Sequence, residues 1–168
     1  MRIALDAMGG DHAPAAIVEG AVIASKEFSV DIALIGDEIR LKEALVSHRG
    51  LSRLSIVHAP TVIQMGESPL MVRRKKEASI CVATQLVKRG AADAVISAGN
   101  TGASMAAALF ILGSLPGVDR PAIATLLPTL KGVSVLIDAG ANVDCKPSPL
   151  VEFAVMGHIY AREILGVT

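Results

Sequence analysis

Short apolar runs alternate with longer segments of helical period along this chain, and that alternation constrains the fold more than any other feature. "RIAL" at 2–5 opens the series, and "VDIALIG" (30–36), "RLSIVHA" (53–59), "ADAVISA" (92–98), "PAIATLLP" (121–128) and "VSVLIDA" (133–139) continue it. These runs are continuously apolar rather than alternating, which suits strands buried on both faces of a parallel sheet. The segments between them read as helices. One starts near Pro14, with Ile17, Ala21, Ala24 and Phe28 as its buried stripe. A second is capped by Asp37 and runs to about Ser47, and a third spans 70–89 with Ile80, Ala83 and Val87 on one face and Gly90 as its stop. A fourth covers 100–112, and Pro147 and Pro149 open the last, which carries Leu150, Phe153, Gly157, Tyr160 and Ile164 at helical spacing. The pattern predicts a three-layer α/β/α sandwich with a mostly parallel sheet. An antiparallel hairpin turning at Lys131 and Gly132 is an open alternative for 121–140.

A chain of 168 residues needs only one domain, and a single domain over 1–168 is the expectation. Apolar residues are 52% of the chain and aromatics 2%, so the core must be packed by Ala, Val, Ile, Leu and Met. Sixteen basic and sixteen acidic residues cancel, which together with the scarcity of aromatics argues against nucleic acid as a partner. Cys81 and Cys145 form no CxxC pair, and "MRIALDAMGG" lacks the pattern of a signal peptide, pointing to a reducing cytoplasm. No uninterrupted apolar run reaches the length of about 18 residues that a membrane span needs.

Ligands in open parallel sheets collect outside the carboxyl ends of the strands. Three loops at such ends combine glycine with Asp or Asn: "DAMGGD" (6–11), "SAGNTG" (97–102) and "DAGANVD" (138–144). In the middle loop Gly99 and Gly102 permit close backbone approach, and the N–H groups of the following helix start are donors for an anion. The Asn100 amide and the hydroxyls of Ser97 and Thr101 can supplement them. The plainer reading stands beside it: Gly99 turns the chain, and Asn100 or Thr101 caps the helix. Asp6, Asp11, Asp138 and Asp144 suit a metal or general-base site, but also turns and caps. His12 sits beside Asp11, while His48, His58 and His158 have no spacing suited to zinc. No metal or cofactor is expected. In "RRKKE" (73–77), read as helical, at most two cations can share a face; Arg73, Lys75 and Lys76 are candidates for drawing in an anion or an acidic partner protein, against a solvated face as the alternative. Cys81 reads as a buried filler.

"MRIALDAMGGDHAP", "IQMGESP", "RRKKEASI", "ADAVISAGNTGA", "GVDRPAIATLLPT" and "IDAGANVDCKPSPLVEFAVMGHIYA" resemble, in order and spacing, the bacterial PlsX family of phosphate acyltransferases over nearly the whole chain. Ala78-Ser79 stands where the family usually has paired serines, and the interval from Pro69 to Arg73 is one residue short. The resemblance implies a fold similar to the isocitrate and isopropylmalate dehydrogenases. It also implies transfer of a long-chain acyl group from acyl carrier protein to inorganic phosphate, by a cytoplasmic homodimer working peripherally at the membrane. Family members are about twice this length, so the chain looks like an amino-terminal half. Phosphate is already an anionic nucleophile, so the site needs alignment and oxyanion stabilisation more than a strong base. The expected phosphate site is Ser97, Gly99, Asn100, Thr101 and Gly102, with Asn142 and the loop holding Asp6, Gly9, Gly10 and Asp11 shaping the cleft; Asn100 is the best catalytic candidate. The alternatives are a metal- and NAD-dependent dehydrogenase of the same fold, which lacks a dinucleotide fingerprint here, and a non-catalytic phosphate-binding module.

Overall fold

The computed structural model describes residues 1–48, 51–142 and 144–167. They form two compact units, residues 1–113 and 114–168. In the first unit, four parallel strands lie in the order β3-β2-β1-β4: β1 (Arg2–Asp6), β2 (Asp31–Gly36), β3 (Leu54–His58) and β4 (Ala94–Ser97). Side chains alternate between the two faces of this sheet, and both are covered. Ile32 and Leu34 face α1 (Ala15–Glu27) and α2 (Glu38–Leu45), in a cluster with Val18, Ala21 and Leu41. Ala4, Ala33 and Ile35 face the other way, onto Ala83 of α3 (Ser79–Lys88). Alanines on that face let α3 lie close to the sheet. Leu34, Ile35 and Leu41 are fully buried, each contributing about 2 kcal/mol of apolar transfer. The mostly parallel three-layer sandwich expected from the alternation is therefore present. Asp37 caps α2 as anticipated, accepting from the Arg40 N–H at 2.9 Å.

Three expectations need correction. The buried stripe of α1 is Val18, Ala21, Val22 and Ser25, and Phe28 is exposed. Phe28 instead flanks an open apolar groove of about 630 Å³, lined on one side by α1 and on the other by Met1, Ile3 and Ile96. The helix expected over 70–89 is two pieces, a 3-10 turn Pro69–Arg73 and then α3. Between them the chain is pulled out of helical geometry: Ala78 is extended, bridges to Thr61, and is followed by a Ser79 N–H that donates to the Thr61 carbonyl at 2.9 Å. Four adjacent cations would repel one another along a helix, and the fan of directions a helix would give them does not apply. Finally, α4 (Thr101–Ala107) passes into a π-helical segment, Ala108–Leu112, rather than continuing as an α-helix to 112.

In the second unit β5 (Thr125–Thr129) and β6 (Gly132–Leu136) pair antiparallel, which realises the hairpin alternative. Gly132 has φ +145° at the turn exit, a conformation only glycine adopts readily. Against β6 lies α5 (Pro147–Glu163), with Phe153 buried and Gly157 so close to Ile137 that an added Cβ would sit 2.9 Å from its Cγ2. Leu150 and Ile164, the ends of the expected stripe, are exposed.

Candidate functional site

In this strand order β1 and β4 are neighbours, yet their following helices diverge, α1 to one face and α4 to the α3 side. That is the switch point of an open α/β sheet. Asp6 and Ser97 are register partners at the ends of the two strands. Asp6 is 2% exposed, and its carboxylate is fully engaged. Oδ1 accepts from the Met8 and Gly9 N–H groups at 3.2 and 3.1 Å, and Oδ2 accepts from Ser97 Oγ at 2.8 Å. Ser97 Oγ in turn accepts from the Gly99 N–H at 3.1 Å. Asp6 thus pins both loops instead of presenting a free base.

The glycines meet backbone to backbone. A Cβ on Gly99 would lie 2.9 Å from Gly9 Cα, and one on Gly9 would lie 2.6 Å from Asp6 Oδ2 and 3.0 Å from Gly99 Cα. Gly10, at φ +112°, passes beside the Ala98 carbonyl. Asp11 and His12 are exposed; Asp11 borders a polar depression with Arg40 and Gln64.

Asn100 caps α4: its Oδ1 accepts from the Ala103 N–H at 2.9 Å, and its backbone carbonyl takes the Ser104 N–H. Its Nδ2 is turned onto the carbonyls of Gln64, Met65 and Glu67, at 3.0, 3.2 and 2.9 Å. The side chain is therefore committed at both ends, as a cap and as a clamp on residues 64–67. With Ala103 and Ser104 served, the first-turn N–H groups of Thr101 and Gly102 remain as donors without an intrahelical acceptor. Pro69 rests on this helix start, where a Cβ on Gly102 would lie 2.5 Å from Pro69 Cγ. The clamped segment is braced by Glu67, which accepts from the Gln64 N–H at 2.8 Å and pairs with Lys75 at 2.7 Å, while Lys75 Nζ also donates to the Val62 carbonyl. The Lys75 hydrogen bond holds the Glu67 carboxyl below its ordinary range. This brace went unread in the sequence.

The three candidate cations of the basic run separate in role. Lys75 is a strut, Arg73 stacks over Phe110 with its guanidinium 4.2 Å from the ring centre, and Lys76 is exposed. Cys81 is fully buried, and burial, with a smaller effect of the Asp6 charge, pushes its thiol up to about 11. Cys145 is half-buried. At pH 8, a thiol-specific chromogenic disulfide should therefore label Cys145 and reach Cys81 only after denaturant is added; prompt labelling of both in native protein would contradict the burial. Because only the neutral Cys81 thiol is tolerated in the fold, its contribution to stability is present below about pH 9 and is lost as pH rises toward about 11.

The third loop belongs to the second unit, with Val143 outside the described residues. Asp138 accepts from the Ile123 N–H at 2.7 Å and the Asn142 N–H at 2.6 Å; Asn142 Nδ2 donates to the Pro121 carbonyl at 3.0 Å and to Asp138 at 3.3 Å. Burial opposes the charge on Asp138, but these donors together hold its carboxyl below the usual value. Asp144 is exposed. Among the described residues no three His, Cys, Asp or Glu side chains gather as a metal site requires, and no helix is long and apolar enough to cross a membrane.

Residues 1–113 are thus a doubly wound α/β unit with two interlocked glycine loops at its switch point. The chain belongs to the fatty acid synthesis protein family, whose model matches residues 1–168. It is 59% identical over 168 residues to a phosphate acyltransferase of Desulforamulus reducens, an alignment taking in 99% of this chain and 50% of that protein. Phosphate acyltransferases of Pelotomaculum thermopropionicum and Nostoc sp. are 56% and 57% identical over 169 residues, covering 100% and 99% of this chain and 49% and 50% of theirs. The chain spans about half the length of the curated relatives it matches. The family expected from the sequence blocks is the family found.

Proposed function

We propose that this chain is part of a phosphate acyltransferase, which moves a long-chain acyl group from the thioester of acyl carrier protein to inorganic phosphate, and that the start of α4 seats the phosphate. One observation carries the seat: the Thr101 and Gly102 N–H groups are left as donors beside two loops locked together at the switch point. Attack by a phosphate oxygen on the thioester carbon forms a tetrahedral oxyanion, whose collapse expels the thiolate and leaves acyl phosphate. Fixed backbone donors serve that step by holding the nucleophile in line. Asn100, Ser97 and Asp6 act here as positioning residues, since their polar atoms are occupied by the loops. Gly9, Gly10 and Asp11 shape the same cleft. The family relatives' names support acyl transfer over the dehydrogenase alternative. A cytoplasmic homodimer at the membrane surface accompanies the reading, on resemblance alone.

Thr101→Pro tests the seat. Proline is tolerated at the first helical position and removes one N–H, and Asn100 before it already has the extended backbone a following proline requires (φ −62°, ψ 109°). Phosphate affinity, from amide chemical shifts in the 168-residue chain, should fall about tenfold or more, since a hydrogen bond to a charged group contributes roughly 1.5–3 kcal/mol. Circular dichroism should stay unchanged. Unaltered phosphate affinity would remove the seat from α4; absence of acyl phosphate from palmitoyl acyl carrier protein and phosphate with the full-length protein would remove the activity.

A further inference from the structure

One groove of the first unit is not used by the site described above. It is bounded on one side by α3, where Cys81, Gln85, Lys88 and Arg89 recur at helical spacing, and on the other by Phe110 and Ile111 of the π-helical segment; Arg73 and Lys76 close one end. Its volume is about 780 Å³. From Cys81 to Arg89 it follows α3 for about 12 Å, at 1.5 Å per residue. Arg73, Lys76, Lys88 and Arg89 are exposed, and none of the four takes part in an ion pair among the described residues. The floor is apolar, and Arg73 is already ordered over Phe110.

We propose that this groove docks an acidic amphipathic helix of a partner protein. On the acyl-transfer reading, from which this step follows, the partner is the carrier protein that delivers the thioester. The groove is two helical turns long and open, and far larger than a phosphate ion. Its chemistry is that of helix-in-groove recognition, with carboxylates of the partner meeting the four cations and its apolar residues meeting Phe110 and Ile111. A bilayer is a poorer occupant, because Phe110 and Ile111 are the only large apolar side chains of the groove that are not buried, and Phe110 already stacks against Arg73. Nucleic acid is poorer still, since Phe110 is covered by Arg73 and no second aromatic lines the groove to stack bases. Cations at the rim speed encounter and make binding salt-dependent, and the central apolar contacts hold the complex.

The test is a titration of the 168-residue chain with purified acyl carrier protein at low salt. The double variant Lys88→Glu/Arg89→Glu should raise Kd at least tenfold and flatten the dependence of Kd on salt. Lys26→Glu, a single charge reversal on α1, should leave Kd unchanged. If the double reversal unfolds the chain, Lys88→Ala/Arg89→Ala takes its place, with an expected loss of about threefold to tenfold. Carrier binding that is absent in the wild type, or that the variants do not weaken, overturns the proposal. Loss of binding to phosphatidylglycerol vesicles with carrier binding intact assigns the groove to a membrane and also overturns it. Formation of acyl phosphate by the full-length protein is scored separately, so a groove that fails leaves the proposed activity standing, and the reverse holds as well.

Discussion

Gly99→Ala is expected to separate the two rim loops and to abolish phosphate binding while leaving the sheet intact. The added methyl group would lie 2.9 Å from Gly9 Cα and 3.3 Å from Ser97 Oγ. The first of these neighbours is backbone, so no rotamer change can relieve the contact. One loop must move, and Ser97 Oγ loses its position between Asp6 and the Gly99 N–H. Overpacking of this kind costs about 2 kcal/mol, which urea unfolding would register as a lowered midpoint with an unchanged slope. Asp6→Asn supplies the contrast. An amide oxygen still accepts from the Met8 and Gly9 N–H groups, and its NH₂ can donate to Ser97 Oγ. If Asp6 is a pin, this variant keeps most phosphate affinity and, in the full-length protein, most turnover. If Asp6 takes a proton in the reaction, turnover collapses with affinity unchanged. Wild-type phosphate affinity in Gly99→Ala would show that the loop contact has no bearing on the seat.

The sheet was legible because its physics is repetitive. Continuous apolar runs such as "DIALIG" fit only strands covered on both faces, and the pairing of β2 between β1 and β3 follows from burial of every residue from Ile32 to Gly36. Capping was legible too, since Asp37 and Asn100 stand one residue before helical segments and have the side chains to serve their first turns. What could not be read were contacts between loops distant in sequence. Gly9 and Gly99 are ninety positions apart, and their need for glycine arises from each other rather than from a turn: neither is among the glycines at positive φ. The basic run misled for a related reason. Its helical reading followed local spacing, but the bridge from Thr61 to Ala78 and the Glu67–Lys75 pair, both tertiary, decide its path. Charge also concealed function: Lys75 and Lys76 are adjacent and alike in sequence, yet one is a strut and the other lines the groove.

Asn100 divides into two functions that substitution can separate. Asn100→Ala removes both the cap on Ala103 and the clamp on the carbonyls of Gln64, Met65 and Glu67. A lost cap costs about 1 kcal/mol and each of the two hydrogen bonds that the amide's two protons can make at once about 1 more, so thermal or urea unfolding should report a loss of about 3 kcal/mol. Asn100→Asp keeps an oxygen for the Ala103 N–H, but it turns a second oxygen toward three carbonyl oxygens in place of a donor. The ionised form is repelled there, whereas the protonated form can donate to one of them. In this variant the introduced carboxyl should titrate above its unfolded value. Its destabilisation is then smallest below about pH 4 and grows as pH rises through the folded-state value, opposite in sign to the behaviour of a paired carboxylate. The clamp also bears on function, because it fixes residues 64–67 and the Pro69 that rests on Gly102. Asn100→Asp should therefore weaken phosphate binding more at pH 7 than at pH 5 after correction for phosphate ionisation, with helix content retained at both. A pH-independent loss in Asn100→Asp equal to that in Asn100→Ala would mean that the cap alone matters and that the clamp has no part in shaping the seat.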